Sequence, residues 1–311
     1  MLDLFLAVTL TLHPPAPAPA PLPARGVARD EVVEEPQGGD PPARDLERLE
    51  AWPELDRETG KAVTKEVTRL RKARTDEMAR QAHEVLVGLG HGAGPALLAA
   101  LGKERDEDAR ERVAAALTAV TDARHTRLLA AEFGHKSEHV RLFALGRAAA
   151  FPDAGIRAAA EEAFAAAEER AGTKKEVERE LDHAALALCS AGSIEGLDVL
   201  HARALKDWGD WGGRIRAALE AIRGPEASTR VAAHLDGGDR KATVAALRLL
   251  AGCGDKATAG PRVRPLLDST DNSIRIAAIN AARGIVDGAP PLDRMSVFEA
   301  VELAATWKRK L

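Results

Sequence analysis

His135-Lys-Ser-Glu138-His139 spells H-x-x-E-H, the metal-binding string of the inverted zincins. That chemistry needs both imidazoles on one face of a continuous helix and a third ligand supplied from elsewhere. The surrounding pattern instead lays the string across a turn and the start of a helix, where Glu138 is a favourable charge on the helix dipole. Gly88-Leu-Gly90-His-Gly92-Ala-Gly94 resembles a phosphate-cradling loop in composition. A dinucleotide loop follows a strand and opens a helix within a βαβ unit. This run follows a helical pattern, so its glycines read as a left-handed helix end and the start of the next unit. The sequence shows no G-x-S-x-G, no P-loop and no Cys–His pair in matching register. Paired acids such as Glu161-Glu162 and Glu168-Glu169 fall on a solvated helix face. The expectation is a non-enzyme with no catalytic residue, cofactor or metal.

Trp208-Gly-Asp210-Trp211-Gly-Gly-Arg214 holds two of the four tryptophans in the chain. Trp and Arg are the commonest anchors of protein interfaces. In a Gly-rich turn, Trp208 and Trp211 read as an exposed aromatic contact. The other reading folds both rings back over the neighbouring unit.

The elements that must position these residues are short amphipathic helices. Residues 256–287 form the clearest unit. A first helix carries Val263, Leu266 and Leu267 and is interrupted by Pro265, a polar turn follows, and a second helix buries Ile274, Ala277, Ala278, Ala281 and Ile285. Such a hairpin cannot bury its apolar face alone and needs a similar one beside it. Similar units are expected at 92–121, 122–150, 153–192, 193–224 and 225–254, the third with two long helices. Ahead of them stand a short capping helix over 44–52, stopped by Pro53, and a charged hairpin over 57–73 and 76–89. A lone helix over 294–311 closes the array, with Val297, Phe298, Val301 and Trp307 turned inward. The solenoid thus occupies 43–311, with 43–91 as N-terminal cap, 92–287 as repeats and 288–311 as C-terminal cap.

Pro265-Leu266-Leu267-Asp268, then Asp271, Ile274-Arg275 and Ala278, resembles the HEAT repeat, and is also similar to its bilin-lyase-type variant. The β-branched anchor before the arginine recurs at Val113, Val140, Ile215, Val244 and Ile274. The intervals 113–140, 215–244 and 244–274 are steps of 27, 29 and 30 residues, shorter than the usual ~40. The resemblance implies an all-α fold, a right-handed α-solenoid of about seven antiparallel helical hairpins. It also implies that the second helices line the concave surface. On them lie Arg141, Arg147, Arg216, Arg223, Arg248, Arg275 and Arg283, a basic inner stripe that would favour an anionic partner.

Composition agrees with helices. Of 311 residues only 3% are aromatic and none is Tyr, which disfavours strands. A net charge of −4 argues against a dedicated nucleic-acid binder. Cys189 and Cys253 read as small core residues, too far apart to bridge. Residues 1–25 join an apolar, signal-like run to the start of a Pro/Ala-rich spacer, and 26–42 continue as an acidic Pro/Gly linker. Together these point to an exported (periplasmic or extracellular), monomeric, non-catalytic scaffold that binds an acidic protein surface and has no transmembrane span, with the cytoplasm as the other location. A bilin-lyase-like accessory subunit and a nucleic-acid-binding solenoid are the alternatives.

Overall fold

Aspartate sets where many of the helices begin. Asp56, Asp106, Asp239, Asp255 and Asp271 hold extended backbone and accept hydrogen bonds from N–H groups two or three residues on. These are donors that a helix start otherwise leaves without partners. The Asp271 carboxylate takes the N–H groups of Ser273 and Ile274 at 2.8 and 3.2 Å. Loss of one such cap costs about 1 kcal/mol.

The computed structural model describes residues 47–171, 175–292 and 294–311. Among these, fifteen α-helices form and no strand does. They pack as successive pairs. The first three pairs are α1 (Arg57–Arg71) with α2 (Asp76–Leu89), α3 (Gly94–Leu101) with α4 (Glu107–Ala119), and α5 (Thr126–Ala130) with α6 (Glu138–Ala149). Next come α7 (Arg157–Arg170) with α8 (Lys175–Ser190) and α9 (Leu197–Lys206) with α10 (Trp208–Leu219). Last are α11 (Pro225–Ala232) with α12 (Arg240–Cys253) and α13 (Lys256–Val263) with α14 (Asn272–Asp287), against which α15 (Val297–Lys310) lies. Second members also meet one another, α6 on α8, α8 on α10, α10 on α12 and α12 on α14. Every helix pair falls within the unit expected for it, and beyond Val263 the chain tightens into a 3-10 turn over Arg264–Asp268 around Pro265.

The apolar positions explain the packing. Val113, Val140 and Ile215 are fully buried, while Val244 and Ile274 are half-buried against the core. One buried cluster runs from Val63 to Val140 and a second from Leu129 to Trp307, with Phe143 touching both. Alanines supply much of the contact surface, so backbones approach closely. At Gly284 of α14 a Cβ would overlap the Ala251 carbonyl oxygen of α12. Cys189 and Cys253 are buried and unpaired, and burial pushes the Cys253 thiol up to about 12.

Three local expectations are corrected. Residues 47–56 contain no helix; Pro53 disfavours helical backbone at Trp52, and longer-range bonds hold the segment against the fold. The Leu49 N–H donates to the Arg124 carbonyl oxygen at 2.8 Å, Arg48 pairs with Asp153 at 3.3 Å, and the Trp52 indole sits against Gly94. The Trp208–Arg214 stretch is the opening of α10 rather than a turn, begun by Asp207. On α15, Ala300, Ala304 and Trp307 face inward, whereas Val297, Phe298 and Val301 are 60%, 73% and 52% exposed. The signal-like segment at 1–25 and the linker at 26–42 lie outside the described residues.

Candidate functional site

Four second helices, α4, α6, α8 and α10, line a cleft of about 830 Å³. Helical spacing places the lining residues. Arg110, Ala114 and Thr118 come from α4, His139, Phe143 and Gly146 from α6, Arg179, His183 and Leu186 from α8, and Gly213, Arg214 and Ala217 from α10. On α6 and α8 these are i, i+4 and i+7 positions and on α4 i, i+4 and i+8, one face of each helix, while Arg214 and Ala217 of α10 are three apart. The floor is apolar through Leu142, Phe143 and Leu186. A cleft of this size, in which an apolar patch meets convergent charged groups, is within the range of ligand sites.

His183 sits at the base of the cleft, only 5% exposed. Its Nδ1 lies 2.8 Å from the Arg179 carbonyl oxygen. A carbonyl only accepts, so Nδ1 carries the proton and Nε2 is left as an acceptor. Burial pushes the imidazole down to about 4, and the Arg214, Arg179 and Arg203 guanidinia push it the same way. It is therefore neutral at pH 7. Its ring meets Trp211 edge-on at 5.0 Å. Gly146 makes this position possible, because a Cβ there would come within 2.9 Å of the His183 Cδ2. Burial, with the Arg110 charge, also lowers His139.

Arg110, Arg179 and Arg214 surround these imidazoles, and no carboxylate among the described residues lies within ion-pair reach of them. Arg110 makes one long bond, 3.4 Å, to the Arg105 carbonyl oxygen. Arg214 lies over Trp211 at 5.5 Å. Glu107 and Glu111 line the α4 side and Glu138 the start of α6, so the cleft has an acidic side as well as a basic one.

The residues singled out from the sequence lie elsewhere or are engaged. Arg141 makes a two-point ion pair with Glu180. Arg147 lines the cleft, but it donates to the Thr118 and Thr121 carbonyl oxygens and lies over Phe151 at 4.7 Å. Arg216 donates to the Gly212 carbonyl oxygen at 3.3 Å, and Arg223 to those of Gly254 and Gly284 at 3.3 and 2.9 Å. Arg275 donates to the Ser269 carbonyl oxygen at 2.7 Å and Arg283 to that of Pro290 at 3.2 Å. Arg248 covers the half-buried Trp208 at 5.0 Å. Of the two readings of the tryptophan motif, Trp211 follows the folded-back one: it is buried, with Arg203 over its ring at 4.8 Å. The basic stripe is thus largely used inside the fold. Arg179 was missed because the anchor pattern skips α8 altogether, and Arg110 because the pattern seeks an arginine after Val113, where Ala114 stands. The legible signal there was Arg179, His183 and Leu186 at helical spacing.

A second cluster joins the Gly-rich run to the next unit. Gly90 ends α2 with φ +75°, as its sequence context implies. Next to it His91 donates from Nδ1 to the Val120 carbonyl oxygen at 2.7 Å. Ligand atoms of His91, Asp122 and His125 lie within 4.8 Å of one another, a spacing that can hold a metal ion. The Arg124 guanidinium occupies that space, 2.6 Å from both His91 Nε2 and Asp122 Oδ2. Asp122 also caps the turn beginning at Ala123, and Arg124 helps hold its carboxyl well below the usual range despite partial burial. An intramolecular cation fills this place. In the H-x-x-E-H string, Glu138 opens α6 while His135 stays in the preceding turn, its Nδ1 accepting from the Ser137 N–H.

No family model and no curated protein matches the sequence.

Proposed function

We propose that this chain is a non-catalytic protein-interaction scaffold of HEAT-like build. Its hairpins stack as a right-handed α-solenoid of about seven antiparallel pairs. The chain acts as an exported monomer and presents its second helices to an acidic partner. One observation carries this reading: three guanidinia without carboxylate partners ring an apolar-floored cleft. Arg110 is half-buried and Arg179 and Arg214 are exposed, so their like charges are gathered at one concavity with no internal counter-charge, which favours an external one. The three glutamates in the same cleft support a protein over a nucleic acid, because a run of phosphates would meet them as well as the arginines.

The test places a photo-crosslinking amino acid at Ala217, which lines the cleft, in the full chain expressed in its native host. A protein adduct that disappears on adding Arg179→Glu and Arg214→Glu supports the scaffold. An adduct only to DNA or RNA moves the reading to a nucleic-acid solenoid. An adduct only to a pigment or other small molecule moves it to an enzyme accessory. No adduct removes the reading.

A further inference from the structure

We infer that the cleft between α4, α6, α8 and α10 takes a short peptide segment of the partner, anchored by one acidic side chain on Arg179 and Arg214. This rests on the scaffold reading and names the chemistry of its site.

The argument starts from which donors and acceptors are left over. Arg179 and Arg214 are exposed, come from neighbouring helices that pack together, and line one cleft. Both act on His183 as nearby positive charges. A planar guanidinium recognises a carboxylate through two parallel N–H donors. His183 offers the opposite function. With Nδ1 committed to the Arg179 carbonyl oxygen at 2.8 Å, its neutral Nε2 accepts one N–H. A ligand that brings a carboxylate and, close by, an N–H donor satisfies both, and a peptide carrying Asp or Glu does so with side chain and backbone. Leu142, Phe143 and Leu186 then receive an adjacent apolar side chain.

The acidic side of the cleft decides between a single carboxylate and a polyanion. Glu107 and Glu111 share α4 with Arg110. A ligand with evenly spaced negative charge would be attracted at α8 and α10 and repelled at α4. A peptide with one acid, followed by neutral or basic residues, fits both sides and is held in one direction. The volume of about 830 Å³ suits a short segment of extended chain.

The test pans a phage library of random dodecapeptides on the whole protein. Counter-selection uses the Arg179→Glu/Arg214→Glu variant, whose changes are exposed and whose fold is checked by circular dichroism and thermal unfolding. Sequences enriched on the wild type should share an Asp or Glu next to an apolar residue. In the best of them, acid to amide substitution should weaken binding at least tenfold, measured by fluorescence anisotropy. His183→Phe, which keeps a ring against Trp211, should weaken it several-fold, and a DNA oligonucleotide should not compete. Enrichment without an acidic residue, or equal binding to the variant, overturns the proposal. If it fails while the Ala217 adduct persists, the partner docks without an acidic anchor. If the adduct is lost too, the scaffold reading falls with it.

Discussion

Arg141 on α6 and Glu180 on α8 form a fork-to-fork ion pair, with nitrogen–oxygen distances of 2.8 and 2.7 Å and a Glu180 side chain only 4% exposed. Burial pushes the Glu180 carboxyl up, and the hydrogen bonds and charges of Arg141 and Arg170 together more than offset it, so the net shift is downward. Arg141 also donates to the His135 carbonyl oxygen at 2.8 Å, fastening the turn that precedes its own helix. Truncating one member of a buried pair leaves the other uncompensated, at about 3 kcal/mol. Arg170 also reaches Glu180, at 2.9 Å, and retains part of the attraction. Arg141→Ala should therefore lower stability by about 2–3 kcal/mol in urea unfolding. A loss under ~0.5 kcal/mol would show that the pair does not hold α6 to α8. Binding lost in an Arg141 variant would report on the fold before it reported on a partner surface.

His183 supplies a pH dependence with a definite sign. Its ordinary value is 6.5 and the fold lowers it to about 4. Between those limits the unfolded chain binds the extra proton, so stability rises with pH from about 4 to 6.5 and this contribution is flat above. The full swing is on the order of 3 kcal/mol. His125, His139 and His201 are lowered too, by burial first, and add to the same slope. Urea titrations from pH 4 to 8 should show the rise, and His183→Gln should make it shallower by up to one proton. An unchanged slope in that variant would place His183 in solvent.

Glycine separates close packing from helix propensity. Gly284→Ala drives a methyl into the Ala251 carbonyl of α12, which cannot swing away as a side chain would. The strain of such overpacking is about 1–3 kcal/mol. Gly60 lies inside α1 with open space where its Cβ would go. Gly60→Ala should stabilise by about 0.5–1 kcal/mol through backbone entropy. Thermal unfolding of both variants checks the contrast, and two shifts of the same sign would contradict the close approach of α12 and α14.

Much of the fold was legible because its determinants are local. Asp caps, apolar spacing and glycine ends mark many of the helices without reference to distant residues. Gly90, Asp239 and Asp271 do what their neighbours in sequence imply. The site was less legible, since an arginine becomes available to a partner only by lacking one at home. The pairing of Arg141 with Glu180 or of Arg248 with Trp208 depends on helices far apart in sequence. Arg223 looked like a partner residue, yet it reaches two carbonyl oxygens more than thirty positions away. Arg214 was within view as part of the tryptophan motif, but the motif read as a turn. Its seven residues carry three glycines, yet the Asp207 cap, one residue upstream, and the buried Trp211 and Ile215 place them at the start of a helix.

The last helix shows the same limit and tests it directly. Val297, Phe298, Val301 and Trp307 look like one apolar set, yet α15 turns Ala300, Ala304 and Trp307 toward the core instead. Those three recur at i, i+4 and i+7, and small alanines let α15 lie close on α14. Lys308 with Asp268, and Lys310 with Asp287 at 3.2 Å, fix the rotation. The Trp307 ring is clasped by Lys310 at 4.2 Å and Arg283 at 5.9 Å. Trp307→Ala should then cost about 3–5 kcal/mol as a large core truncation, whereas Phe298→Ser should change stability by less than ~0.5 kcal/mol. Equal losses at the two positions in urea unfolding would mean that α15 presents its valine and phenylalanine face to the core.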